Sequence, residues 1–171
     1  ENVTYSNIII ETRRFCPDWW GTAEPIVITT FNRDENTKSG TIKNIRFFNV
    51  IAKGENGVLI HGNAENIIED VTFENCKITL TKTSKWDCGL YDLRPCLDWG
   101  VEKYDNSAFF IRYAKNVLIE KTQTAWGTLC DSYKHAIDAE NVENLELVRF
   151  SGKAVSPLVD DIKLNNVKLI K

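Results

Sequence analysis

Methionine is absent from the chain, histidine occurs only twice, and nine glycines and four prolines are few for 171 residues. With two His, five Cys and no Cys-x-x-Cys pair, the sequence offers no zinc framework. The low Gly and Pro content excludes a fold built mainly from tight hairpins. No apolar run approaches the ~20 residues of a membrane span. The opening Glu1-Asn2-Val3-Thr4-Tyr5 lacks the basic-then-apolar layout of a signal peptide. Basic and acidic residues, 21 and 24, are interspersed at a net charge of −3, so no basic stripe is available to a phosphate backbone. Neither nucleic acid nor membrane is expected as a partner, and no cofactor or metal is implied. Without a start residue, the chain reads as processed or cut from something longer.

Present in quantity are β-branched residues and asparagine. Seventeen Ile and 12 Val stand against 12 Leu and 9 Ala, a balance that favours strands, and 16 residues are Asn. The asparagines are periodic. Six segments begin with Asn or Asp followed by alternating apolar positions, starting at Asn2, Asn44, Asp70, Asn116, Asn144 and Asp161. In four of the six the residue five positions on is again Asn: Asn7, Asn49, Asn75 and Asn166. A second set of short apolar stretches, 25–31, 57–61, 108–113 and 135–139, lies between them.

The six starts are separated by 42, 26, 46, 28 and 17 residues, which gives a unit of about 20–28 residues with loop insertions near 13–22, 32–40 and 81–105. Period-2 alternation with almost no helical period predicts an all-β, right-handed parallel β-helix. Residues 1–171 would form a single β-helical segment of about five to six coils, a C-terminal fragment of a longer solenoid. At a tight corner the short Asn side chain tolerates left-handed backbone, and it can bond to the equivalent Asn one coil along. A solenoid cut in mid-repeat exposes an open end, so missing N-terminal coils or a second copy are expected to cover it.

In a solenoid the insertions build the site. The first, around Arg14, Trp19, Trp20 and Glu24, joins indole faces suited to sugar C–H surfaces with an arginine fork suited to a uronate. The third holds Trp86, Tyr91, Asp92 and Arg94, which either wall a groove or tie the loop down through an Asp–Arg pair. The second, 32–40, is a polar loop. His61 and His135 read as strand-end residues. Asp160-Asp161 is the only Asp-Asp pair, but Asp161 occupies the first repeat position and reads as structural. Cys76 lies in a strand pattern as a small buried hydrophobe; Cys88 and Cys96, in one loop, could pair in an oxidising compartment.

The strings Trp19-Trp20-Gly21-Thr22-Ala23-Glu24-Pro25, Glu55-Asn56-Gly57-Val58 and Tyr91-Asp92-Leu93-Arg94-Pro95, with Lys82-Thr83-Ser84-Lys85-Trp86, resemble the C-terminal part of bacterial glycoside hydrolase family 28 proteins, the polygalacturonase-like group. The resemblance implies hydrolysis of galacturonide or rhamnogalacturonide linkages by inversion, with a pectic polysaccharide or oligosaccharide as substrate. The family's Asn-Thr-Asp and Arg-Ile-Lys strings are absent. No catalytic residue is therefore assigned, and Arg14, Trp19, Trp20, Glu24, Trp86 and Arg94 are expected to bind substrate as groove walls. The alternative is a catalytically silent carbohydrate-binding or structural module. A polymeric substrate slightly favours a secreted or periplasmic location.

Overall fold

A computed structural model describes residues 1–18, 20–97 and 100–170. Among them there is no helix. Twelve strands follow in chain order: β1 Val3–Glu11, β2 Val27–Thr29, β3 Lys43–Gly54, β4 Val58–His61, β5 Ile68–Glu74, β6 Lys77–Leu80, β7 Leu90–Asp92, β8 Val101–Lys103, β9 Phe109–Glu120, β10 Gln123–Trp126, β11 Ile137–Val148 and β12 Ile162–Ile170. Ten of them form one sheet whose pairings are all parallel, while β7 and β8 form a separate antiparallel pair inside the third insertion. The molecule is therefore all-β with a mostly parallel sheet.

The long strands turn corners, so the sheet has three faces. One runs β2–β4–β9–β11–β12, through the register Ile28, Ile60, Ile111, Ala139, Leu164. A second joins the leading part of β1 and β3 to β5 and the trailing parts of β9 and β11, through Val3, Ile45, Val71, Val117 and Leu145. A third joins the trailing part of β1 and β3 to β6 and β10, through Ile10, Ala52, Ile78 and Thr124. Residues from all three faces, among them Ile60, Phe73 and Ile78, belong to one core cluster. Alternation within each strand puts one set of side chains into that core and the other set outside.

Left-handed backbone makes the corners. Asn2, Asn7, Asn44, Asn49, Asp70, Asn75, Asn116, Asn141, Asn144 and Asn166 all have φ between 51° and 62°. Asn and Asp are the side chains that reach this region at least cost. The corner amides also stack: Asn44 Nδ2 donates to Asn2 Oδ1 at 2.7 Å, Asn49 Nδ2 to Asn7 Oδ1 at 2.6 Å and Asn75 Nδ2 to Asn49 Oδ1 at 3.3 Å. Asn116 donates to Asp70 at 2.8 Å and Asn144 to Asn116 at 2.9 Å. Each donation points toward the strand earlier in the chain. Asp70 has no amide to offer Asn44, and there Lys43 Nζ approaches Asp70 and Glu69 at 3.6 and 3.5 Å instead.

Two expectations need correction. The segment starting at Asp161 is one corner out of phase with the other five. Asp161 does not adopt left-handed backbone, and Asn166 stacks on Asn141 at 2.7 Å, at the corner where β9 places left-handed Tyr113 rather than at the corner that opens the other segments. Its spacing of 17 residues reflects that shift. Second, the disulfide joins Cys88 to Cys130, 42 residues apart, rather than to Cys96, because packing the third insertion on the sheet brings Cys88 to the loop after β10. Cys76 is buried, with its thiol raised by desolvation.

Lys121 and Arg149 occupy left-handed corners at φ 47° and 51° without an amide to stack. Lys121→Asn should raise stability by about 1 kcal/mol, combining relief of left-handed strain with a new bond to Asn75. Asn49→Ala, which loses both, should cost about 2 kcal/mol, with Asn49→Gly costing less because Gly keeps the corner. Urea unfolding midpoints of the three variants check the order; Asn49→Gly falling below Asn49→Ala would show that the corner conformation is not what the asparagine provides.

Candidate functional site

The outward rows of the first face explain where the loops sit. Leu59 and Phe110 point away from the core, yet both are fully buried, because Tyr91 and Leu93 of the third insertion pack over them as a second apolar cluster. Tyr91 and Phe110 stack at 4.2 Å between ring centroids. The third insertion is thus a lid fixed onto one face, and the first insertion is laid against its flank.

Three buried carboxylates bind the two insertions together. Asp92 Oδ2 accepts from the Gly21 N–H at 2.5 Å, and Arg94 grips Asp92 through Nε and Nη2 at 2.9 and 2.7 Å. Burial alone would raise the Asp92 carboxyl, but the hydrogen bonds from Arg94 and Gly21 outweigh it and hold it below the ordinary carboxylate range. Glu55 accepts Thr83 Oγ1 at 2.6 Å, Ser84 Oγ at 2.7 Å, Lys82 Nζ at 3.0 Å and the Arg14 N–H at 3.3 Å. Its desolvation is likewise outweighed by the bonds from Thr83, Ser84 and Lys82, and its carboxyl is lowered. Among the described residues no cation forms an ion pair with Glu24. It accepts the Thr22 N–H at 2.7 Å, the Thr22 hydroxyl, and weaker bonds from Asn56 Nδ2 and the Asp92 N–H, both at 3.3 Å. Desolvation wins at Glu24 and its carboxyl is raised.

What remains open lies beside this network. A cavity of about 330 Å³ is lined by Arg13, Arg14, Phe15, Trp20, Glu24 and Val27, among others. A second depression of about 520 Å³ shares Thr12, Arg13 and Phe15 with it and adds Glu11, Lys53, Thr81 and Thr83. Phe15 and Trp20 are 74% and 59% exposed, which is unusual for such large apolar rings. The Arg13 guanidinium sits 4.5 Å from the Phe15 ring centroid. Arg14 reaches the Asp87 carbonyl at 2.9 Å and the Pro17 carbonyl at 3.4 Å, and its Nε is buried without a partner.

Of the six residues expected to bind substrate, Arg14, Trp20 and Glu24 meet at this cavity. Glu24 offers it little, since its oxygens are taken up by Thr22, Asn56 and Asp92. Trp86 and Arg94 lie elsewhere in the interlock: the Trp86 indole N–H donates to the Phe15 carbonyl at 2.9 Å, and Arg94 holds Asp92. Trp19 lies outside the described residues. Sequence reading missed Arg13, Phe15 and Lys53 as lining groups. Lys53 could have been found from register, because it pairs with Glu11 at the mouth of the first insertion.

The remaining candidates are engaged in local contacts. His61 Nδ1 meets the Gly62 carbonyl at 2.7 Å, and burial lowers the imidazole's pKa. His135 Nδ1 meets the Asp160 carbonyl at 2.7 Å. Asp161 is held by Lys153 Nζ at 2.9 Å and the Ala154 N–H at 2.7 Å. Among the described residues no group of three His, Cys, Asp or Glu is placed to hold a metal ion, and no helix is long and apolar enough to cross a membrane. Compared with protein-family models, curated proteins and solved structures, the chain matches none.

The carboxylate network has a pH signature. A carboxyl lowered in the folded state stabilises above its unfolded value and loses that contribution as pH falls through the folded value. For Glu55, that loss begins below the ordinary 4.5. Glu55→Gln should cost about 3 kcal/mol at pH 7, by leaving the Lys82 ammonium with only the Ser84 hydroxyl and the Trp86 carbonyl and no counter-charge. It should also flatten the decline of stability as pH falls below 4.5, measured by urea unfolding at each pH; an unchanged decline would remove Glu55 from the acid transition. Glu24, raised instead, contributes the opposite slope, with its stabilisation present below 4.5 and lost as pH rises.

Proposed function

We propose that the three parallel faces are the walls of a right-handed parallel β-helix. In this reading the chain is the C-terminal portion of a pectin-type glycoside hydrolase, acting by inversion on galacturonide or rhamnogalacturonide linkages. This stretch supplies groove wall rather than the catalytic acid and base. The one observation that carries the reading is the pair of adjoining depressions ringed by exposed Phe15 and Trp20 with Arg13, Arg14 and Lys53. Aromatic faces suit the C–H surface of a pyranose, and guanidinium forks suit its carboxylate.

An inverting glycosidase needs two carboxyls about 6.5–9.5 Å apart across the scissile bond. Among the groups lining the depressions, Glu24 is buried in the loop interlock and Glu11 pairs with Lys53 at 3.7 Å. That favours binding without turnover by the chain on its own, and it keeps the catalytically silent carbohydrate-binding module as a second reading.

Titration with a short oligogalacturonate should give saturable binding that weakens as salt rises, with a neutral galactose oligomer of equal length binding at least tenfold more weakly. Trp20→Ala should raise Kd about tenfold, the loss of ~1.4 kcal/mol of ring stacking, without moving the unfolding midpoint. Polygalacturonate incubated with the chain should release no new reducing ends. Equal affinity for the neutral oligomer would overturn the acidic-sugar reading, and turnover would overturn the assignment of groove wall alone.

A further inference from the structure

We infer that the β1–β2 edge is a docking template for one more parallel strand of the chain's own repeat, Asn-apolar-x-aromatic-x-Asn-apolar, seated in register with Val3–Glu11. The inference rests on the coil architecture proposed above. β1 is paired on one side only, with β3, and β2 on one side only, with β4. Behind them opens a cavity of about 490 Å³, lined by Tyr5, Ile8, Ile10, Ile26, Ile45 and Phe47, among others. It is the end of the apolar core.

Four features specify what covers it. The amide ladders are directional: Asn44 donates to Asn2 and Asn49 to Asn7, so Asn2 and Asn7 are acceptors in their ladders and, among the described residues, their Nδ2 groups are left for acceptors one strand further out. Acceptors five residues apart, at left-handed corners matching those at φ 62° and 56°, are what an Asn pair of the same repeat presents. A ring row ends at the same edge. Tyr5 stacks on Phe47 at 5.1 Å and 9°, and Phe47 on Phe73 at 4.7 Å and 8°, close to the ~4.8 Å spacing of paired strands. Along this inward row exposure falls from 45% at Tyr5 to 5% at Phe47 and 0% at Phe73, so Tyr5 has a free face where its neighbours have none. Backbone N–H and C=O groups of β1 complete the template.

A second copy stacked head to tail fits this template poorly. The opposite end presents β12, whose left-handed Asn166 belongs to the Asn141 corner and not to the rows of Asn2 and Asn7. The occupant is accordingly a strand bearing both asparagines and the ring.

A labelled synthetic peptide with the sequence of β3, Lys43–Gly54, is the direct probe, added to the full chain. Saturable one-to-one binding is expected by fluorescence anisotropy, with slowed hydrogen exchange confined to β1 and β2. Asn44→Ala with Asn49→Ala in the peptide should weaken it at least tenfold, and Tyr5→Asp in the protein should abolish it while the unfolding midpoint holds. Binding of a scrambled peptide with equal affinity, no saturable binding, or a sedimenting dimer whose β1 amides are already protected would each overturn the inference. Oligogalacturonate titrated into the same sample separates the two readings, because loss of saccharide binding with peptide binding intact overturns only the groove.

Discussion

Left-handed asparagine corners, stacked strand on strand, are the constraint from which the rest of the structure follows. In a parallel sheet a slip of one residue exchanges every inward side chain for an outward one. The alternating Ile, Val and Phe pattern penalises such a slip but does not by itself mark where a strand must bend. The corner residues do both. Asn44 and Asn49 fix the two ends of one short straight stretch, and their amides bond the equivalent residues of β1. Once these corners are aligned, Ile60 over Ile111 and Phe47 over Phe73 follow.

With register fixed, the outward positions become a question of chain supply. Leu59 and Phe110 would be exposed apolar groups on a bare sheet, and the third insertion exists in the fold as their cover. A cover made of loop brings backbone polar groups that need partners. Asn56 and Asn106 meet part of that need, with Asn56 Nδ2 donating to the Leu90 carbonyl at 2.7 Å and Asn106 Oδ1 accepting the Gly89 N–H at 2.7 Å. Asp92 and Glu55 meet more of it and carry their own cations, Arg94 and Lys82. Glu24 serves the same loops without a cation, which is why its carboxyl moves the opposite way. The second insertion is the polar loop its sequence suggested, with Asp34 capping its own turn through Thr37 at 2.7 Å and the Asn36 N–H at 3.0 Å and Ser39 Oγ accepting from Asn66 Nδ2 at 2.9 Å.

The sheet was legible in the sequence to the extent that its determinants are local. Asn at a corner and β-branched residues between corners act within a few positions, so five of the six segments and the intervening strands at 58–61 and 109–112 stand where the pattern put them. The sixth failed because Asp161 matches the first repeat position in type while belonging to a different face. The loops were not legible because their determinants are distant. Cys88 meets Cys130 across 42 residues, and Trp86 meets Phe15 across 71. Arg94 is an instructive case: of the two roles its setting allowed, groove wall or tie to Asp92, burial beside Gly21 selects the tie. Arg13 and Phe15 escaped notice because a charged and an aromatic residue flanking Arg14 look like loop filler until both are seen exposed on one rim.

The open edge and the aromatic depression are adjacent for a structural reason. Val27 lines both cavities: it stands on edge strand β2, 49% exposed, with the core cavity on one side and Trp20 and Phe15 on the other. A strand laid along that edge would bury Val27, close the core cavity and raise a wall beside Trp20. On the proposed reading, that wall would deepen the depression on the side of β2, where the rings of Phe15 and Trp20 stand. Closure of the core cavity and the shape of the depression are thus coupled at one residue, Val27, whatever the depression holds.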